Sequence, residues 1–256
     1  MKTSNHIQFA WLSVLLLMVF PCLSLADETG GISTTPTSIE MGAQYDGINL
    51  KVKGTVPAGS DVILHLTGAV RDLHLRQKGK VGGLLWMNVG TVTLTNVPNV
   101  SLIDTSRPFS ELGGVASPFR LESLRNVIKI EQDTKAEQID IPHELFLLKK
   151  HERLYNEAEK GVHLGPVEGS ISSFSAELAI PSALAPGEYQ VEAIAIKDGA
   201  VVGKYATTVR AELIGFPKWL SKLAFEKSLL YGILATVIAV FAGLAIGLVF
   251  QSKGAH

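Results

Sequence analysis

The chain has 256 residues, with 23 Lys and Arg against 24 Asp and Glu. This near-neutral balance gives no reason to expect a nucleic acid or a strongly acidic partner. A single cysteine excludes an intrachain disulfide framework and a Cys-based zinc or iron–sulfur site. Charged residues make up only 18%, and the mean hydropathy of +0.26 is high for a soluble protein. Two apolar segments, one near each end, account for that excess.

The first 26 residues have the pattern of a secretory signal peptide. A short polar start precedes an apolar run over residues 10–20, and a small-x-small cleavage site ends at Ala26. We predict cleavage after Ala26, so that the mature chain begins at Asp27. Cys22 lacks the small preceding residues of a lipoprotein signal, so we expect it to be removed without lipidation. A mature chain without cysteine suits an oxidising compartment.

The second apolar segment, residues 229–250, is predicted to cross a membrane. Its 22 residues carry no charge, and as a helix they span about 33 Å, enough for a hydrocarbon core. Trp219 and three lysines precede the segment, as expected at the headgroup level. The alternative, a buried core helix, is disfavoured by the length of the uncharged run.

Two signals disagree about the orientation of this segment. Three lysines precede it and only Lys253 follows, which by the positive-inside rule places the preceding side in the cytosol. A cleaved signal outranks this count, because the N-terminal region is translocated first. We therefore expect a single-pass protein of the bacterial inner membrane. Residues 27–228 lie in the periplasm, ending in a juxtamembrane segment over 215–228, and residues 251–256 form a cytoplasmic tail.

Most of the exported region has the two-residue alternation of β-strands. Residues 27–37 are rich in Gly, Ser and Thr and are predicted to be a flexible lead-in. Residues 38–107 alternate between apolar and polar positions, with Gly/Pro turns and a longer stretch, 84–94, predicted as a strand pair. We predict an immunoglobulin-like antiparallel sandwich over residues 38–214, with sheets from 38–107 and 170–214.

The middle of this domain, about residues 108–160, has helical spacing instead. Apolar positions within 121–130 recur at helical intervals. Residues 141–160 form a clearer helical pattern, which Asp140 can cap and Gly161 can end. We therefore predict a helical insertion in the β domain.

Two further signals mark the late strands. Lys-Asp-Gly at residues 197–199, between two alternating runs, predicts a tight hairpin. The segment LAPGEYQVEAIAI resembles a late strand of an immunoglobulin-like sandwich, in which Tyr189 bonds back across a Pro-Gly corner.

The most unusual stretch is KGKVGGLLWMNVG, residues 78–90, which lacks the spacing of a Walker or dinucleotide-binding loop. We expect Trp86 in the core, the alternative being an exposed recognition surface. Arg76, Lys78 and Lys80 share one face of a regular strand and are a candidate anion-binding face, for sulfate or a lipid headgroup. The alternative is a solvated face that protects a sheet edge.

No sequence pattern favours a cofactor, metal or catalytic site. No two histidines after the signal peptide have the i, i+4 spacing of a metal-binding helix; they are His65, His74, His143, His151 and His163. Nucleophile motifs such as G-x-S-x-G are absent from the sequence. We therefore expect no cofactor, no metal and no enzymatic activity.

Small residues recur every four positions within the apolar segment, at Ala235, Ala239, Gly243 and Gly247. Such a stripe lets a second helix approach closely. It is a candidate helix-packing face, for self-association or for a helix of a partner. The alternative is the general richness of membrane helices in Gly and Ala.

Several segments together resemble a known family: DVILHLTG at 61–68, KGKVGGLLWMNVG at 78–90, NVP at 96–98, LAIPSALAPGEYQVEAIAIKDGAVVG at 178–203 and the apolar segment. The family is the uncharacterised proteobacterial one called Putative transmembrane protein (Alph_Pro_TM). The resemblance implies a secreted β-rich domain on a C-terminal anchor, and an accessory role beside a TauE/SafE-like permease for sulfur oxyanions. We therefore expect a membrane-anchored interaction module, an accessory or scaffold subunit of a membrane complex. A periplasmic anion-binding protein is the alternative, and an enzyme is the third candidate.

Overall fold

Strands build most of the molecule. The computed structural model describes residues 30–132 and 140–251, so the predicted signal peptide and the tail from residue 252 lie outside the described residues. Within them the strands are β1 Gly31–Thr35, β2 Ser38–Met41, β3 Ile48–Pro57, β4 Asp61–Gly68, β5 Val70–Val81, β6 Leu85–Pro98, β7 Ser101–Thr105, β8 Lys129–Gln132, β9 Tyr155–Glu157, β10 His163–Glu168, β11 Ile171–Ile180, β12 Gly187–Lys197 and β13 Ala200–Leu213. The helices are α1 Phe109–Leu112, α2 Ile141–His151, α3 Gly215–Glu226 and α4 Ser228–Gln251, with 3₁₀ helices at Gly114–Phe119 and Leu121–Asn126.

Two sheets pack face to face, which confirms the predicted sandwich. One has the strand order β1-β3-β11-β10 and the other β2-β13-β12-β4-β7-β9. Pairing is antiparallel except between β2 and β13 and between β7 and β9. The core between the sheets holds Leu50, Val52, Phe174 and Leu178 from the first and Val62, Leu64, Leu66 and Val191 from the second.

The early and late parts of the chain share both sheets, instead of contributing one sheet each. β3 pairs with β11 along its whole length, and β4 pairs with β12. In each of these strands every second side chain is apolar and buried. When an early strand pairs with a late strand, their apolar side chains therefore lie side by side on the same face of the sheet. Both sheets therefore depend on contacts between residues more than 100 positions apart.

The segment after β7 covers the outer face of the six-stranded sheet. Ile63 and Ile194 point away from the inter-sheet core and are nonetheless fully buried. Lys204, paired with Ile194, holds its Nζ atom 5.2 Å from the centroid of the Phe119 ring. The insertion thus adds a second layer of packing, which explains why β7 is buried at all five positions.

This insertion is less helical than predicted. Of the stretch expected as a helix at 121–130, Leu121–Asn126 is a 3₁₀ helix and the last two residues belong to strand β8, Lys129–Gln132. The second expected helix ends at His151, because Arg153 adopts a positive φ of 58° and the chain turns into β9. Asp140 caps this helix as predicted, its Oδ1 accepting from the backbone N–H of His143 at 3.1 Å.

Residues 31–35 form β1 and not a flexible lead-in. Gly31–Thr35 pairs antiparallel with β3, and Thr34 is buried beneath the sheet edge. Composition suggested a loop, but an open edge of β3 offers unpaired N–H and C=O groups that this segment satisfies.

The predicted corner and hairpin are confirmed. Tyr189 Oη donates to the carbonyl of Ala185 at 2.5 Å, across the Pro-Gly corner that begins β12. β12 ends at Lys197 and β13 begins at Ala200, with Asp198 and Gly199 both at positive φ in the turn between them.

The chain leaves the β domain through α3 and enters α4. Among the described helices, α4 contains a stretch, Ser228–Leu248, that is long and apolar enough to cross a membrane, and none of it is buried against the rest of the chain. Phe216 and Trp219 on α3 remain exposed, with ring centroids 5.7 Å apart. The described part of the molecule is therefore a β-rich domain joined to one C-terminal helix that is long and apolar enough to cross a membrane.

Candidate interaction surface

Strands β5 and β6 form a long hairpin, which we call the arm (Val70–Pro98). The strands pair from Val70 with Pro98 out to Val81 with Leu85. Gly82 and Gly83 make the turn at positive φ values of 62° and 75°, which residues with a Cβ rarely adopt. β8 adds a third strand only near the base, opposite residues 92–95. At about 3.3 Å per residue, β5 is about 36 Å long.

The end of the arm is apolar and exposed, and the expectation that Trp86 lies in the core is wrong. Trp86 is 67% exposed and Leu84 is 88% exposed. The stretch predicted as a strand pair, 84–94, is one strand whose partner is β5. On the tip side of residue 92, β5 is the one described strand that pairs with β6, and the exposed ring of Trp86 is covered by no described sheet or helix.

Basic side chains follow one face of the arm. Arg76, Lys78 and Lys80 alternate along β5 and are all exposed. The extra residue in β6, Val89, lies opposite the step from Gln77 to Lys78. Its methyl groups pack over Gly79, whose missing side chain leaves room for them. Lys80 Nζ lies 5.4 Å from the centroid of the Trp86 ring, within cation–π range. Within residues 30–132 and 140–251 these three cations form no ion pair.

The base of the arm is held by hydrogen bonds to the insertion and to the tyrosine corner. Tyr155 Oη donates to the carbonyl of Pro98 at 2.7 Å, and Lys149 Nζ donates to the carbonyl of Asn99 at 3.2 Å. Asn99 Nδ2 in turn donates to Tyr189 Oη at 3.3 Å. Burial lowers the pKa of Lys149, an effect that the neighbouring Glu152 opposes. The arm therefore projects from a fixed base.

The arm leaves the β domain at the end from which the chain departs toward α4. Gly68, the last residue of β4, pairs with Tyr189, and Gly187 pairs with Ala211 near the end of β13. β4 and β13 are the two neighbours of β12, so their ends lie about 10 Å apart across the sheet. The β12–β13 turn at 197–200 lies at the opposite end.

The histidines do not converge. His65 Nε2 contacts Ser101 Oγ at 3.0 Å within the six-stranded sheet, and burial lowers the pKa of His65 to about 4. His74 contacts Thr93 across the arm at 3.2 Å. His143 and His151 lie at the two ends of α2, and His163 begins β10. In the part of the chain that the structure describes, no group of three His, Cys, Asp or Glu side chains could hold a metal ion.

Asp104 is the most buried carboxylate described. Its Oδ1 accepts from the backbone N–H groups of Thr105 at 2.8 Å and of Gly161 at 2.9 Å. Burial raises the pKa of Asp104, and these two hydrogen bonds act in the opposite direction. The carboxylate thus joins the end of β7 to the loop before β10, which is a structural role.

The two larger clefts of the β domain are open and lie away from the arm, and a smaller one of about 180 Å³ lies at the base of the arm beside Arg71 and Lys149. One of about 520 Å³ is lined by Lys51, Lys53, His163 and Glu177 on the four-stranded sheet. Another, of about 710 Å³, lies between the end of α2 and residues 179–183. Arg76, Lys78 and Lys80 line none of these clefts, so these three cations form an open charged face and not an enclosed anion site.

The small residues of the span lie on α4. Ala235, Ala239, Gly243 and Gly247 are spaced by four residues along one helix, so they form a slowly winding stripe. Apart from the adjacent residues and the backbone of the helix itself, no described atom lies within 4 Å of where a Cβ would stand on Gly243 or Gly247. The stripe is open to a second helix.

Sequence reasoning gave an exposed surface at the tip only as the alternative to a buried Trp86, although a signal for it was present. Gly82-Gly83 between two runs of strand-forming residues is the pattern of a hairpin turn. A hairpin with a tryptophan next to its turn has no room to bury that ring between its own two strands.

Comparison with known proteins agrees with this architecture. A family model described as Putative transmembrane protein (Alph_Pro_TM) matches residues 31–252, from the first strand through the membrane span. The comparison with curated proteins gave no match. The family match covers the whole β domain, the arm and the single span, and the chain belongs to the Alph_Pro_TM family of transmembrane proteins.

Proposed function

We propose that this protein is a membrane-anchored interaction module, without enzymatic activity of its own, that serves as an accessory or scaffold subunit of a membrane complex. The observation that carries the proposal is the arm, which presents large apolar side chains on a domain tethered by one helix. Apolar patches of this kind on a folded domain mark contact sites. A permease of the TauE/SafE type is the partner class that the family resemblance implies.

The location that we propose is the bacterial inner membrane, with the β domain in the periplasm. The signal peptide pattern of residues 1–26 and the apolar α4 support this orientation. Protease added to spheroplasts should remove the β domain. A domain that resists until the cells are lysed would contradict the orientation.

The test of function is whether the arm tip is needed for assembly in native membranes. The tagged full chain is purified in mild detergent as wild type and as the double variant Leu85→Ser, Met87→Ser. We expect wild type to bring down a membrane protein and the variant to lose most of it. The matched control is Val201→Ser, Val202→Ser, which removes two exposed valines at the opposite end of the domain. Equal recovery from all three chains, or no partner with wild type, would contradict the proposal.

A further inference from the structure

The exposed apolar side chains of the arm are concentrated at its outer end. Five residues around the turn are at least half exposed: Val81, Leu84, Leu85, Trp86 and Met87. Nearer the base, Leu94 is fully buried and Val92 almost so. Val70, at the base, is also exposed, but most of the exposed apolar surface of the arm lies at the end farthest from the domain.

The basic residues come directly behind this apolar end. Lys80, Lys78 and Arg76 follow in that order from the tip toward the base on β5. Trp86 lies at the boundary, opposite Lys80 in the pairing and in contact with its ammonium group. Along the axis of the arm the apolar turn with Leu84 and Leu85 comes first, and Trp86 and Lys80 follow together at one level. Met87 comes next, and Lys78 and Arg76 lie nearer the base.

A bilayer presents the complementary order with depth. Hydrocarbon lies below, aromatic rings favour the interface, and anionic phosphates at the surface attract lysine and arginine. The surface of a protein partner imposes no such sequence of layers on the group that binds it. The chemistry of the arm therefore fits a lipid surface better than a protein groove.

The arm is also placed to reach such a surface. It leaves the six-stranded sheet at the end from which β13 leads into α3 and α4. The 12 residues of α3 span about 18 Å, and extended residues 214 and 227 add about 7 Å, so α4 begins at most about 25 Å beyond the sheet. The arm, about 36 Å long, exceeds that distance.

We propose that the tip of the arm inserts into the bilayer that holds α4, with Arg76, Lys78 and Lys80 against anionic lipid headgroups. The inference rests on the proposed function in taking the β domain to work by contact while anchored through α4. It adds a second membrane attachment, which fixes the orientation of the domain relative to the bilayer and so holds it in position for the membrane partner. The loss of assembly expected of Leu85→Ser, Met87→Ser then follows from lost insertion of the tip.

The test measures whether Trp86 contacts lipid. Trp86 is made the only tryptophan by Trp11→Phe and Trp219→Phe, and the purified full chain is reconstituted into vesicles. The vesicles contain phosphatidylcholine and phosphatidylglycerol in equal parts, with acyl chains brominated near the headgroup end. We expect Trp86 fluorescence to shift to shorter wavelength and to be quenched about as strongly as Trp219 in a chain that retains only that tryptophan.

The matched control moves the tryptophan to the far end of the domain, by Val202→Trp in a chain without other tryptophans. Val202 is exposed on β13 close to the β12–β13 turn. Quenching of Trp86 no greater than in this control would overturn the proposal. A blue shift without lipid quenching would assign the tip to a protein surface, such as a second copy, and would also overturn it.

The charge of the arm gives a second, independent readout. Lys78→Glu with Lys80→Glu should lower the quenching of Trp86 in vesicles with phosphatidylglycerol, toward the value in phosphatidylcholine alone. If the quenching of Trp86 is the same in the lysine variant as in wild type, and the same with and without phosphatidylglycerol, the proposed role of anionic headgroups is overturned. Failure here differs from failure of the proposed function: the vesicles contain no partner, whereas assembly in native membranes is measured by co-purification.

Discussion

Tyr189 connects three parts of the β domain through one hydroxyl group. Its Oη donates to the Ala185 carbonyl and accepts from Asn99 Nδ2, next to the base of the arm. Its ring is almost fully buried in the core. A buried hydroxyl with two partners is costly to remove, because both partners then lose a hydrogen bond.

We expect Tyr189→Phe to lower the free energy of unfolding by about 1–3 kcal/mol. Urea unfolding of the detergent-solubilised chain measures it. The control is Tyr205→Phe, since the Tyr205 hydroxyl makes no hydrogen bond within residues 30–132 and 140–251. Equal destabilisation by the two variants would show that the corner bond contributes nothing.

His65 makes the stability of the domain depend on pH. Burial lowers the pKa of His65 to about 4 in the folded chain, from 6.5 in the ordinary state. Between these values the unfolded chain binds more protons than the folded one, so protonation favours unfolding as the pH falls. The stabilisation is complete above pH 6.5 and is lost as the pH drops toward 4.

The change from this one group between pH 7 and pH 4 should be roughly 3 kcal/mol. His65→Gln keeps a donor for Ser101 but does not titrate, so its unfolding free energy should fall less over the same interval. Urea unfolding at several pH values gives the difference between the two chains. Parallel curves for the two chains would contradict the assignment.

At the scale of elements, the arm is a β-ribbon whose base is hydrogen-bonded to the rest of the domain and whose tip is exposed. Tyr155 and Lys149 hold the base through the carbonyls of Pro98 and Asn99. The tip, in contrast, contacts no other described element, so its local stability is separate from that of the sandwich. Changes at the turn should therefore affect the arm alone.

We expect Gly82→Ala with Gly83→Ala to loosen the tip without lowering the stability of the sandwich. Both positions have positive φ, where a Cβ costs about 1–2 kcal/mol. Hydrogen exchange should become faster at the tip amides, while the urea midpoint of the domain stays constant. Gly199→Ala, at φ 74° in the β12–β13 turn, is the control that should lower the midpoint, since β12 is central to the core. A lowered midpoint in the arm variant would contradict the separation.

At the scale of the whole molecule, two devices join the β domain to the membrane: α4 itself and, in our proposal, the arm. The stripe on α4 adds a surface for a further helix. In lipid there is no hydrophobic drive between helices, so close approach over small residues determines association. Substitutions in the stripe therefore test whether α4 also binds a second helix, besides anchoring the domain.

Gly243→Ile with Gly247→Ile should weaken association of the span, because branched side chains fill the groove while the helix stays apolar. A membrane two-hybrid assay measures self-association, and co-purification measures a partner helix. Ala245→Ile, on the opposite side of α4, is the matched control. Association that survives in the double variant would leave α4 as a passive anchor.

Local patterns were sufficient for much of this architecture. The alternation in β3, β4, β11 and β12, the Asp198-Gly199 turn and the cap at Asp140 each depend on residues within a few positions of one another. The membrane span likewise follows from length and charge alone. The prediction was wrong where pairing with a distant strand determines the structure. Residues 31–35 were predicted as a loop from their glycine-rich composition, but they form β1 by pairing with β3.

The sequence by itself determined that this chain is a β-rich domain on one membrane anchor, because periodicity and hydropathy are local properties. Only the tertiary structure decided where Trp86 lies, since a tryptophan in an alternating strand has the same pattern whether a second sheet covers it or not. Strand order likewise determined that the arm and α4 leave the same end of the domain, because that depends on which strands pair and not on their composition. The proposed interaction surface thus depends on topology: the residues of the arm are ordinary strand residues, and they are exposed because no described sheet or helix packs against the tip.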